Sequence, residues 1–322
     1  MLCNLLSRGP GAVQTGGRRL EPGALRRADG PRASSATAAA SIAVVRPVSE
    51  ASGMSSSAYS SSVQQHAGSA QLPSAVLTDY RGMGYGLSDI TTAILVGGLG
   101  TRLRTVVSDR PKALASVQGR PFLAFLLDQL VEARVRDVVL CVGYKAEQVR
   151  EVFGAEYKTL RLAYSSDPEP MGTAGALRIA IRLFTSSPVL VMNGDSYCDT
   201  DLNAFRAWHD ARRSSASLLL TSVPETARYG RVQIDELGHV TCFEEKGGVA
   251  GPGRINAGIY LIDRDLLQSI PAGRPVSLER EVFPGWIGRN LYGFSSPGRF
   301  LDIGTPESYA LTDGFFGGVG SA

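Results

Sequence analysis

From residue 91 onward, apolar runs of strand length alternate with segments whose apolar residues recur at helical spacing, and this alternation limits the fold more than any other feature. Strand, helix, strand is the unit of a parallel sheet wrapped by helices. Residues 91–96, 137–142, 160–165 and 188–192 read as strands. Between and after them, 120–134, 145–153, 173–184 and 201–213 read as helices. In the first helix Phe122, Leu123, Leu126, Leu127 and Leu130 share one face behind Pro121. After about residue 216 the pattern loosens. Residues 217–223, 256–263 and 299–302 read as strands, 231–235 and 239–245 as a hairpin, and 305–316 as a closing helix. The expectation is one α/β domain over residues 89–318, with a mixed, mostly parallel central sheet and a small hairpin-containing subregion. No hexapeptide or longer repeat interrupts it.

Residues 1–88, rich in Ser, Ala, Gly and Arg with little periodicity, bury too little apolar surface to offset their ordering entropy and are predicted to be disordered. Met54 and Met83 are plausible starts, so the segment reads as an over-long beginning in preference to an Arg- and Ser-rich transit peptide. Residues 1–50 hold seven Arg against Glu21, Asp29 and Glu50, whereas the whole chain carries a net +3. The folded part is therefore not basic, which argues against a nucleic-acid partner. No apolar run reaches transmembrane length, so no membrane association and a cytoplasmic protein are expected. Cys3, Cys141, Cys198 and Cys242 lie far apart, the last three in apolar runs, and read as core residues of a reducing compartment.

The strongest chemical signal is VGGLGTRLRTVVSDRPKA, residues 96–113. There a strand runs into a loop with Gly97, Gly98 and Gly100, then Arg102, and Lys112 after a Pro. Glycines let backbone amides close on phosphate oxygens, and two cations neutralise the remaining charge. Other phosphate loops fit poorly. The pattern G-x-G-x-x-G, begun at Gly98, meets Leu103 where its third Gly belongs, and no Gly-Lys-Ser/Thr occurs. Of 33 basic residues only Lys112, Lys145, Lys158 and Lys246 are lysine, and Lys145 and Lys158 read as solvated surface charges. Asp195 and Asp302 each follow an apolar run and stand at strand ends, where ligands gather in open α/β sheets. Paired carboxylates facing a phosphate loop suit Mg²⁺. No Ser/His/Asp or Cys/His constellation is recognisable.

GGLGTRLR followed by Pro-Lys resembles the signature of the sugar-phosphate nucleotidyltransferases. The resemblance continues through PMGTAGAL at 170–177, a nucleoside-side loop, and Asn193-Gly194-Asp195, a metal-binding turn. It extends to ARYGR at 227–231, a sugar-side glycine, and to Glu244-Glu245-Lys246 and INAGI at 255–259, sugar-phosphate contacts. LDIGTP at 301–306 resembles the segment with the second metal-binding Asp. GGLGTRLRTVVSD, VGYKAEQVREVFG and NGDS look most like the D-glycero-D-manno-heptose 1-phosphate guanylyltransferases, with Val106-Val107-Ser108 where Pro-Leu-Thr is usual. Asp167 stands five residues before Gly172, where relatives often carry Gln.

The resemblance implies a Rossmann-like, glycosyltransferase-A-like nucleotidyltransferase fold, with the hairpin in a sugar-binding subregion. It implies that a nucleoside triphosphate and a sugar 1-phosphate give a nucleotide sugar and pyrophosphate. GTP with D-glycero-α-D-manno-heptose 1-phosphate is the first expectation, and mannose or another hexose 1-phosphate the alternative. Arg102, Lys112, Asp195 and Asp302 would be catalytic, the two carboxylates holding Mg²⁺. Leu95, Gly97, Gly98, Gly100, Thr101, Gly172 and Thr173 would bind nucleotide, and Gly230, Glu244, Glu245, Lys246, Asn256 and Gly258 the sugar phosphate. A catalytically silent nucleotide- or sugar-sensing subunit would be free to lose the four catalytic residues, all of which are present. Leu103 disfavours a nicotinamide oxidoreductase. A homo-oligomer is compatible with the sequence.

Overall fold

A computed structural model describes residues 86–244 and 251–317. The disorder expected for residues 1–85, and the assignments of Glu245 and Lys246, lie outside the described residues. In chain order the main elements are β1 (Thr91–Leu95), α1 (Phe122–Glu132), β2 (Asp137–Val142), α2 (Ala146–Phe153), β3 (Glu156–Tyr157), β4 (Leu160–Ser166) and α3 (Gly172–Ala180). β5 (Val189–Asn193), β6 (Ser196–Cys198), α4 (Leu202–Ala211), β7 (Ala216–Val223), β8 (Val232–Ile234), β9 (Val240–Phe243) and β10 (Gly253–Ile262) follow. The described chain closes with α5 (Arg264–Ser269), α6 (Phe283–Trp286), β11 (Leu291–Ser296), β12 (Phe300–Asp302), α7 (Pro306–Tyr309) and α8 (Thr312–Gly317).

Eight strands form one sheet in the order β11-β7-β10-β5-β1-β2-β4-β3. β1 is parallel to β2 and β5, and β2 to β4, while β10 runs antiparallel to both β5 and β7. Alternate side chains of each strand point to opposite faces, so the continuous apolar runs feed two cores. Ala93, Val139 and Val191 pack on one side with Ala174 and Leu177 of α3. Ile94, Leu140 and Leu190 pack on the other with Phe122, Leu126, Leu127 and Leu130 of α1, each of those helix residues fully buried. Each such side chain contributes roughly 1.5–3 kcal/mol of transfer free energy. β8 and β9 make the expected hairpin. Cys141, Cys198 and Cys242 are buried, and none of them is in a disulfide among the described residues. No helix among the described residues is long and apolar enough to cross a membrane.

The closing helix expected at 305–316 is two short ones. A capping box between Thr305 and Ser308 starts α7, and the Thr312 hydroxyl donates to the Tyr309 carbonyl at 2.7 Å, competing with the main-chain ladder between α7 and α8. β6 and β11 were not expected. β6 pairs antiparallel with β12, setting Ser196 opposite Asp302, and the Ile303 amide donates to the Asp195 carbonyl at 2.9 Å.

Candidate active site

The carboxyl end of β1 opens into a cleft of about 190 Å³. Leu95, Gly98, Gly100, Thr101, Arg102, Lys112, Asp195 and Gly304 are among the residues that line it. Seven expected site residues thus meet in one cavity. Gly100 adopts φ +60°, and a Cβ there would stand 3.3 Å from the Lys112 Cβ, so glycine lets the loop turn while the lysine passes beneath it. Lys112 is the more buried partner of its ion pair, 13% exposed against 48% for Asp195, with Nζ 2.7 Å from Asp195 Oδ2. Arg102 is exposed and makes no ion pair among the described residues.

Asp302 is held from several sides. Tyr229 Oη donates to its Oδ2 at 2.7 Å, the Gly304 amide donates to its Oδ1 at 2.8 Å, and an Arg228 guanidinium nitrogen lies 3.5 Å from Oδ2. Burial and the adjacent carboxylate push the Tyr229 phenol up to about 12, so it donates at any physiological pH. The β6–β12 pairing brings the two segments that carry Asp195 and Asp302 side by side, a long-range event with no local signature. Among the described residues no cluster of three or more His, Cys, Asp or Glu could hold a metal. Two carboxylates completed by substrate phosphate oxygens nevertheless fit the coordination habit of Mg²⁺, and Lys112 already places a cation on one of them.

Several expected residues, Leu95 of the cleft lining among them, also make contacts within the fold. The Leu95 carbonyl accepts from the Gly194 amide at 2.9 Å, and the Thr173 hydroxyl donates to Glu279 at 2.9 Å. Gly172 abuts the Val276 main chain. Asn256 spends its side chain on Tyr260 Oη and the Gly258 amide, stabilising the irregularity in β10 between Asn256 and Tyr260. Gly258 packs on Asn193 and Ser196, and Glu244 accepts from Gln233 at 2.6 Å. Gly230 is buried behind the turn that carries Tyr229. Gly97 lies outside the lining of the cleft, next to Asp167.

Sequence reasoning left Tyr229 and Arg228 without a role, although both flank Gly230 in ARYGR. Asp167 it singled out only as standing at the base-contact position where relatives often carry Gln. This residue follows β4, its amide donating to the Val142 carbonyl, and its Oδ2 stands 3.6 Å from where a Gly97 Cβ would be. Its Oδ1 is buried with no hydrogen-bond partner, and burial raises the carboxyl to about 6.

A nucleotidyl transferase family profile matches residues 91–313. The chain is 36% identical to a D-glycero-alpha-D-manno-heptose 1-phosphate guanylyltransferase of Aneurinibacillus thermoaerophilus over 67% of its own length and 94% of the relative's. It is 38% identical to a mannose-1-phosphate guanylyltransferase catalytic subunit beta of Drosophila melanogaster, of which it spans 60%. The structure matches HddC of Yersinia pseudotuberculosis, solved in complex with GMP-PN, with a TM-score of 0.62 and 31% identity over 70% of this chain and 99% of that one. The matched residues contain the whole cleft, and the chain belongs to the nucleotidyl transferase family as a sugar-1-phosphate nucleotidyltransferase.

Proposed function

We propose that the enzyme joins GTP to D-glycero-α-D-manno-heptose 1-phosphate, releasing pyrophosphate, in the reducing cytoplasm that free buried thiols suit. The observation that carries the guanine assignment is the half-buried Asp167 carboxyl beside the loop, whose Oδ1 has no hydrogen-bond partner. A carboxylate only accepts hydrogen bonds, and guanine alone among the common bases presents two adjacent donors, N1–H and N2–H₂, on its pairing edge. Uracil and thymine would set carbonyl oxygens against it. The heptose assignment rests on the motifs and on the relative matched over 94% of its length. Mannose 1-phosphate is the second reading, favoured by the 38% identity to the Drosophila enzyme.

A sugar 1-phosphate is largely dianionic near neutrality, so its oxygen needs no general base to attack the α-phosphorus. The bond to the bridging oxygen breaks as the new one forms, and charge builds on pyrophosphate. Arg102 and Lys112 neutralise that charge, while Tyr229 and the Gly304 amide hold Asp302 in place. A divalent metal held by Asp195 and Asp302 would add Lewis-acid stabilisation of the phosphates.

Pyrophosphate release measured over GTP, UTP, dTTP, CTP and ATP against heptose and hexose 1-phosphates tests the assignment. GTP with the heptose phosphate should be the best pair, and a preference for dTTP or UTP with glucose 1-phosphate overturns it. Asp167 adds a pH signature. Its free carboxyl, raised to about 6, must be ionised to accept from guanine, so GTP affinity should weaken as pH falls through that value. Asp167→Asn should lower kcat/KM for GTP by about 10–100-fold and flatten that pH dependence of binding. Calorimetric titration with a non-hydrolysable GTP analogue at pH 5 and 7.5 would reject the contact if wild type and variant lose affinity equally.

A further inference from the structure

The loop from Val96 to Pro111 is long for the anchoring it receives. Between its buried ends, Val96 and Pro111, Leu103, 1% exposed, is the one buried residue, and the others are half-buried or exposed. Ordering each residue of such a loop costs about 1–2 kcal/mol of backbone entropy, so its geometry depends on further contacts. They come from the corner between β2 and α2. Lys145 Nζ donates to the Asp109 carbonyl at 2.7 Å and to the Ser108 carbonyl at 3.4 Å, and Gln148 Nε2 donates to the same Asp109 carbonyl at 3.2 Å. Arg104 lies 4.6 Å over the centre of the Tyr144 ring. Lys145 therefore departs from the solvated surface charge read from the sequence. Lys158 keeps that description, its ammonium paired at the surface with Asp128.

The clamped carbonyls stand four and three residues before Lys112, which donates to Asp195 in the cleft. The Asp109 carboxylate is bound to Arg110, so the main chain is what Lys145 and Gln148 hold. We infer that Lys145, aided by Gln148, is a positioning residue that latches the far end of the glycine loop and so sets the cradle and Lys112 for the triphosphate. The inference rests on reading that loop as the triphosphate site but not on which base or sugar is used.

Lys145→Met keeps the stem and removes the donors. Steady-state kinetics with whichever pair turns over best should show KM for the triphosphate raised about 5–20-fold, with KM for the sugar 1-phosphate within about twofold of wild type. Amide hydrogen exchange of the ligand-free full chain should be faster across residues 99–111 by roughly tenfold, without loss of protection in β2 or β4. Lys145→Arg should restore both, Gln148→Leu should shift both by less, and Lys158→Met should move neither. If Lys145→Met unfolds, Gln148→Leu carries the same test. A raised triphosphate KM with unchanged exchange would make Lys145 a ligand of the phosphates and overturn the latch, as would unchanged values of both or equal increases in the two KM values. Failure of the base or sugar assignment leaves the exchange result untouched.

Discussion

Asp195→Asn should lower kcat by about 10²–10⁴ while leaving the protein folded. Asp195 is half exposed, and its bond to Lys112 is a partly solvated ion pair, a kind worth about 0–1 kcal/mol to stability. The melting temperature should therefore move by only a few degrees. Charge accumulates on the phosphates during transfer, and under the proposed function the carboxylate, which pairs with Lys112, would act there by anchoring that lysine and by offering an oxygen to a divalent cation. Asparagine keeps the size and the carbonyl acceptor but loses the charge, so its effect isolates the electrostatic contribution. Steady-state kinetics with calorimetric melting decides between the outcomes: turnover within a few-fold of wild type would remove Asp195 from the site.

Gly172→Ala should destabilise the fold by about 2–4 kcal/mol and lower the melting temperature by about 5–15 °C. Gly172 sits at φ +72°, and an added Cβ would stand 2.5 Å from the Val276 carbonyl oxygen. That oxygen also accepts from the Ala174 and Gly175 amides, at 3.0 and 3.2 Å, so moving it away would break both bonds. A glycine needed only for close approach of a nucleotide would behave differently, its alanine variant melting like wild type and losing only triphosphate affinity. Thermal melting of the ligand-free variant separates the two, and an unchanged transition would refute the steric account.

The parallel half of the sheet was legible because apolar runs and helical periodicity are local properties. Residues 137–142 were bounded correctly as β2, and the buried face of α1 was read residue by residue. Gly98, Gly100, Arg102 and Lys112, picked out from one compact stretch of sequence, do line one cleft. β11 was missed because LYGFSS is short and interrupted by Gly293. β6, only three residues long, gains its strand character from a partner about a hundred residues away. The roles of Tyr229 and Lys145 were invisible for a related reason: each acts on a carboxylate or carbonyl remote in sequence, and residue type alone does not say which one.

The antiparallel pairing of β6 with β12 also orders events in time. Strands β1, β2, β4 and β5 and the glycine loop belong to the first part of the domain to leave the ribosome, and their parallel pairing needs nothing beyond Asn193. Asp302 arrives about a hundred residues later, and only then does the ladder exist that sets it opposite Ser196, next to Asp195 in the chain. Closing so wide a loop is a late, high-contact-order step. A nascent chain thus acquires its phosphate cradle well before its full set of anionic groups, and catalytic competence waits on nearly complete synthesis of the domain.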